Sequence, residues 1–246
     1  MVLSIAVVCE APADQRTGCD LADRVVCEKV GWIDEDMLDD ERQWRGLEHQ
    51  DTCLFWTTAK RLAKTSMIPI EGFGGEPAAP DAHAARKALW LLHASPHPPD
   101  AILFLRDDDG DPRRREGLQQ AREHSKFDTP IVIGVAHPKR ECWVLAGFDP
   151  QDDEESNRLA TLKSELGFDP RQKAERLTAA LDTAKKSAKR VLSALVGGDR
   201  QREADCWKAT DLTILTTRGQ QTGLADYLDE VRTRIVPLLA SRHRPS

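Results

Sequence analysis

The stretch AILFLRDDDGD, residues 101–111, runs five apolar residues into one arginine and four aspartates. An unbroken apolar run of this length fits a strand covered on both faces. At its end Asp107, Asp108, Asp109 and Asp111 repel one another unless something positive sits among them. Either the loop is a solvated acidic turn or it is built to hold a cation. Alternation in an extended chain puts Asp107 and Asp109 on one side and turns Asp108 away, toward solvent or a neighbouring helix. On that reading Asp108→Asn is tolerated, whereas Asp107→Asn and Asp109→Asn are not.

Working outward, LSIAVV (3–8) and PIVIGVA (130–136) read as two further buried strands. Helix spacing marks DLADRVVCEKVG (20–31) and DAHAARKALWLLHA (81–94), the latter with Asp81 as its cap. DPRRREGLQQAREHSKF (111–127) reads as a helix with Pro112 in its first position. SMIPIEGFGG (66–75) offers a short strand entering a glycine turn, without the Lys-Ser/Thr of a phosphate-binding loop. The acidic segment 32–51 reads as an insertion. Strands alternating with helices predict an α/β fold: a mainly parallel, Rossmann-like sheet flanked by helices. In such sheets ligand chemistry collects beyond the carboxyl ends of the strands, where the aspartates lie.

After residue 148 the pattern becomes helical. EESNRLATLKSELG ends at Gly167, a long pattern over 171–198 ends at Gly197 and Gly198, and GLADYLDEVRTRIVPLLA (223–240) follows. The expected division is therefore an α/β domain over 1–148, with an acidic insertion at about 32–65, and a helical C-terminal region over 149–246. Trp143, Trp207 and Trp90 sit in apolar helical settings that favour core packing, and Tyr227 lies in an ordinary amphipathic helix.

The composition narrows the class. In 246 residues, 40% are hydrophobic, 31% are charged and the net charge is -6. No apolar run approaches the roughly 20 residues of a membrane span. The first residues lack a basic n-region, so no signal peptide is expected. Six cysteines (9, 19, 27, 53, 142, 206) show no CxxC pair, which argues against zinc or a disulfide framework and suits a reducing cytoplasm. His93 and His97 read as loop residues. An acidic chain does not coat nucleic acid by charge alone, but local basic groups occur at 113–115, 138–140 and 185–190. Each reads either as a solvated face or as a nucleic-acid contact, with Arg113, Arg114, Lys139 and Arg140 the candidates.

Acidic residues follow three predicted strands: Glu10 with Asp14 four residues on, then Asp107 and Asp109, then Glu141. Carboxylate oxygens are hard ligands suited to Mg²⁺ or Mn²⁺. A Glu after the first strand followed by hydrophobic-Asp-x-Asp resembles the TOPRIM domain. That domain is shared by topoisomerases, primases, small nucleases and nucleases of the overcoming-lysogenization-defect class. CEAPAD stands where many TOPRIM proteins carry E-G-x-x-D/E, with Ala11 replacing the glycine. HPKRECWVLAGF resembles a Glu-x-Trp segment of bacterial TOPRIM-like proteins associated with mobile-element and phage-defence loci.

The resemblance implies a metal-dependent nuclease of DNA or RNA, cytoplasmic and engaged in defence. It implies two Mg²⁺ or Mn²⁺ ions held by Glu10, Asp107 and Asp109, with Asp14, Asp111 and Glu141 completing or orienting the site. Lys185, Lys186 or Lys189 would stabilise charge, and a homo-oligomer is left open. The alternative is a catalytically silent TOPRIM-like binding module acting as a subunit with a separate ATPase. A receiver-like or phosphatase-like domain would leave Glu10 and Glu141 unexplained. No catalytic-tyrosine domain is evident, and the single Tyr227 lies in an ordinary amphipathic helix, so topoisomerase activity is not expected.

Overall fold

The computed structural model describes residues 2–67 and 72–243. Its elements begin with β1 (Leu3–Cys9), α1 (Pro12–Lys29), the one-turn α2 (Leu38–Glu41), β2 (Arg42–Arg45), β3 (Leu54–Phe55) and α3 (Trp56–Thr65). They continue through α4 (Ala82–His93), β4 (Ala101–Asp107), α5 (Arg113–Glu123) and β5 (Ile131–Ala136). The five strands form one parallel sheet in the order β2-β1-β4-β5, with β3 pairing β1 beyond the end of β2. The α/β class read from the sequence is the one the chain adopts.

Strands β1, β4 and β5 are apolar without alternation because helices cover both faces. On one face Ala6, Val8, Ile102, Phe104, Ile133 and Val135 pack under Ala59 of α3, Ala85, Leu89 and Leu92 of α4, and Leu118 of α5. On α1, Leu21, Ala22, Val25 and Val26 are buried, and Gly18 lies so close to Leu105 that a Cβ there would stand 2.5 Å from its methyl carbon. At Gly117 the approach is to backbone: a Cβ would lie 1.8 Å from the Pro80 carbonyl oxygen, so α5 needs glycine there.

Three local expectations need correction. Residues 32–51 are not merely an insertion, because Arg42–Arg45 pairs in register with Leu3–Ala6 of β1. This edge strand is polar, and guanidinium bonds hold it: Arg42 Nε reaches Asp23 at 2.7 Å, and Arg45 is buried. The first helix begins at Pro12, not at 20, since the Asp14 carboxylate accepts the Ala11 N–H at 2.8 Å and closes the first turn. Asp81 is not a side-chain cap for α4; it has φ 65° and its carboxylate binds elsewhere. Of the strand expected over 66–75, residues 68–71 lie outside the described residues. The glycine turn after it is present, with Gly74 and Gly75 at positive φ.

Two compact units divide the chain. One holds the chain up to Arg106, Asp111–Val135 and the chain from Asp229; the other holds Asp107–Gly110 and Ala136–Leu228. This differs from the expected boundary at 148. The reason is α6 (Glu141–Ala146), buried on every side, which forms the centre of the helical unit. Around it come α7 (Asp153–Leu166), α8 (Ala188–Val196), α9 (Arg200–Ala209) and α10 (Leu212–Arg218). The chain then forms α11 (Leu224–Arg234) and α12 (Val236–Ala240). Trp143 stacks on Tyr227 with ring centroids 5.0 Å apart and donates Nε1–H to the Thr222 carbonyl at 2.8 Å. Trp207 is buried too, while Trp90 is half-buried with its edge on Phe127.

The long helix expected over 171–198 is confined to 188–196. Before it the chain makes a short 3-10 turn at Ala174–Arg176 and a loop closed by the Thr178–Ser187 bridge. Ser187 sets the start by accepting the Arg190 N–H at 3.3 Å. In the same unit Asp169 accepts from Lys163 at 2.7 Å and from Arg171 at 3.0 Å. Burial alone would raise its carboxyl, but the Arg171 and Lys163 hydrogen bonds outweigh this and push it down to about 2. A depressed carboxyl stabilises the fold above its unfolded value and loses that contribution as pH falls through the folded one. Acid unfolding between about pH 4 and pH 2 should therefore include a component of on the order of 2 kcal/mol that is missing in Asp169→Asn. Denaturant titrations across that window check it.

Candidate functional site

In the sheet unit, parallel pairing of Val8 with Phe104 carries Glu10 and Arg106 to neighbouring positions just beyond it. The Arg106 guanidinium bonds Glu10 and grips Asp81 with two hydrogens, Nε to Oδ2 at 2.9 Å and Nη2 to Oδ1 at 3.3 Å. Arg114 adds a longer contact to Asp81 at 3.8 Å. Two carboxylates at this sheet edge thus share a cation supplied by the protein itself. Asp14 is engaged in the α1 cap. Asp111 and Arg113 pair with each other at 2.9 Å; Arg113 holds the Asp111 carboxyl below its usual range. Beside Arg106 a cleft of about 510 Å³ is lined by Trp56, Lys60, Asp81, His83 and Lys87.

In the second unit, β4 ends at Asp107, and Asp109 has φ 49°, so strand alternation does not extend through the loop. Asp107 accepts the Arg140 N–H at 2.8 Å. Asp108 does not face solvent: it is buried, accepts the Gly110 N–H at 2.8 Å and meets His137 Nδ1 at 2.7 Å. Asp109 is exposed. Glu141 opens α6, and its Oε2 is buried without a hydrogen-bond partner among the described residues. Burial pushes the Cys142 thiol far up, and the charges of Glu141 and Asp107 push it further; the Arg140 N–H bond brings Asp107 to the residue next to Glu141.

Of the basic candidates, Arg140 is buried, pairs with Glu203 at 2.8 Å and lies 3.7 Å from Glu141 Oε1, and Lys139 is half-buried. Lys185 and Lys186 are exposed in the loop before α8, and Lys189, on α8, makes a 3.4 Å contact to Asp182. The structure thus brings Asp107 and Glu141 into one neighbourhood of this unit. It leaves Lys186 and Lys189 on the exposed face around the start of α8.

Among the described residues no three His, Cys, Asp or Glu side chains are gathered to hold a metal ion. Two hard carboxylates do suit Mg²⁺, which commonly keeps several waters and takes substrate phosphate oxygens as its remaining ligands. The unpartnered Glu141 Oε2 is the atom that such an ion would satisfy. No family model matches the chain, nor does any curated protein or solved structure. The TOPRIM resemblance therefore rests on its motifs alone.

Sequence reading missed Arg106, His137, Lys60 and Lys87. Arg106 carries the one visible signal, a lone cation directly before the aspartates. His137 gives none, since its partner lies 29 residues away. Among the described residues no helix is long and apolar enough to cross a membrane.

Proposed function

We propose that the chain is a divalent-metal-dependent nuclease that hydrolyses nucleic-acid phosphodiesters. Asp107 and Glu141 would hold Mg²⁺ or Mn²⁺, with Asp109 a further oxygen donor in the same loop. The observation that carries this reading is Glu141 Oε2, a carboxylate oxygen withdrawn from water with no donor to meet it. When bound, the ion supplies Lewis-acid stabilisation of phosphoryl oxygens and an activated water. A cytoplasmic place in defence against phage or mobile elements follows from the TOPRIM resemblance and belongs to the same proposal.

The test is incubation of the purified protein with plasmid, linear DNA and tRNA in Mg²⁺, Mn²⁺ or EDTA. Cleavage that needs the ion supports the reading; cleavage that persists in EDTA overturns it. Binding should also show as stability. At a free ion concentration of about 100 times Kd, linkage adds about 2.7 kcal/mol.

Lys60 and Lys87 line the cleft of the sheet unit and are candidate substrate contacts. Lys60→Ala with Lys87→Ala should weaken nucleic-acid binding regardless of sequence and lower the slope of log K against log salt by about 1 to 2. Fluorescence anisotropy over a salt series measures it. An unchanged slope would exclude the cleft from the contact surface.

One observation favours a second reading, a catalytically silent module working with a separate ATPase. Glu10, the first metal ligand by resemblance, is already paired with Arg106. Under that reading no nucleic acid is cut with either ion and the melting temperature ignores both. Co-purification of an ATPase from source cells would be its positive test.

A further inference from the structure

We propose, resting on the nuclease reading for the reaction itself, that His137 is the general base and that Asp108 is its positioning residue. Of the four aspartates in the loop only Asp108 is buried, at 3% exposure. Both of its oxygens are engaged, Oδ1 by the Gly110 N–H at 2.8 Å and Oδ2 by His137 Nδ1 at 2.7 Å. A carboxylate oxygen accepts, so the 2.7 Å contact assigns the proton to Nδ1. In the neutral ring the lone pair then falls on Nε2, the nitrogen able to take a proton from water. The imidazole is 36% exposed, so water and substrate have access to it.

Backbone bonds fix both partners. The His137 N–H donates to the Thr222 carbonyl at 2.9 Å, and the Asp108 N–H donates to the Ala136 carbonyl at 3.0 Å. A buried carboxylate that selects the tautomer of a partly exposed imidazole is an arrangement that general-base catalysis uses.

In the step, a water oxygen forms a bond to phosphorus while its proton passes to His137 Nε2. The P–O bond to the leaving group breaks, its electron pair stays on the leaving oxygen, and that oxygen takes a proton from solvent. The imidazolium then returns its proton to solvent. Asp107 and Glu141 keep the roles given above, so the base is chemically distinct from the metal-holding carboxylates.

Asp108→Asn separates the two parts of the proposal. It keeps an oxygen for Gly110 but presents an amide donor to Nδ1, which should invert the tautomer. The experiment is ¹⁵N NMR of histidine-labelled protein in mildly alkaline buffer, with His137→Ala to assign the signal. Wild type should show the Nδ1–H form, and Asp108→Asn the Nε2–H form at an unchanged melting temperature.

In cleavage assays kcat should fall about a hundredfold in Asp108→Asn and at least as far in His137→Ala. KM should change less than about threefold, since uniform binding is untouched. Added imidazole should restore part of the His137→Ala turnover. An Nε2–H tautomer in wild type, or a tautomer unmoved by Asp108→Asn, overturns the positioning role. Turnover of His137→Ala within a few-fold of wild type overturns the base. If wild type cuts nothing with any ion, the nuclease reading fails and the base role with it. The NMR result still decides the positioning.

Discussion

Glu141→Gln and Asp107→Asn are each expected to cut metal-dependent cleavage at least about a hundredfold, the scale of losing one strong electrostatic contact to the transition state. The two amides fill nearly the same space as the carboxylates but lose the charge that a hard cation demands. At Glu141 a stability measurement makes the result specific. The carboxylate is buried with Oε2 unpartnered, and its Oε1 has a long 3.7 Å contact to Arg140, whose close partner is Glu203, so removing its charge relieves an incompletely satisfied group. Without metal, Glu141→Gln should melt at or above the wild-type temperature. With metal, the wild type should gain stability while the variant gains none. A variant that loses activity and also unfolds more easily without the ion would point to a structural carboxylate. Equal activity in wild type and Glu141→Gln would remove Glu141 from the site.

What could be read in the sequence divides along a physical line. β1, β4 and β5 were legible because burial on both faces demands unbroken apolar runs, and such runs need no knowledge of their partners. β2 was not. RQWR has no apolar pattern, and its place at the sheet edge depends on Arg42 finding Asp23 and Arg45 finding backbone carbonyls. The start of α1 was hidden for a similar reason: its closing bond comes from the third helical residue instead of from the residue before the helix. The long helix over 171–198 failed because the chain turns back at the Thr178–Ser187 bridge, and Ser187 then caps a new start.

The same division runs through the candidate site. Asp107 and Glu141 were found by position after strands, which topology alone makes meaningful. Asp108 was misplaced because alternation holds only while the strand lasts, and β4 stops one residue earlier. Arg140 reads as a surface cation until Glu203, 63 residues later, neutralises it inside its unit. Charge patterns show which groups are available to act, but their environments decide which are already spent.

The largest effect on stability is expected at Arg45. The residue is 1% exposed, and its guanidinium makes four hydrogen bonds: to the Ser4 hydroxyl at 2.7 Å, to the Gly46 carbonyl at 3.0 Å, to the Leu47 carbonyl at 2.9 Å and to the His97 carbonyl. Ser4 lies on β1, and Asp100 just before β4 exchanges two 2.8 Å hydrogen bonds with its backbone. Arg45 therefore ties the edge strand to the centre of the sheet and to the turn that feeds β4. Arg45→Met keeps most of the volume but leaves buried carbonyls unsatisfied, at about 1–3 kcal/mol each. The total should reach about 4 kcal/mol, a large share of the 5–15 kcal/mol that holds a typical domain folded. Urea midpoints followed by tryptophan fluorescence should register it, with Trp44 on the same strand as reporter. Arg45→Lys should recover only part of the loss, because one ammonium replaces a planar fork of five donors. By contrast Arg113→Ala, which removes a solvent-exposed pair with Asp111, should leave the midpoint where it is. If Arg45→Met and Arg113→Ala behaved alike, β2 would contribute nothing to the sheet, and its register with β1 would have to be redrawn.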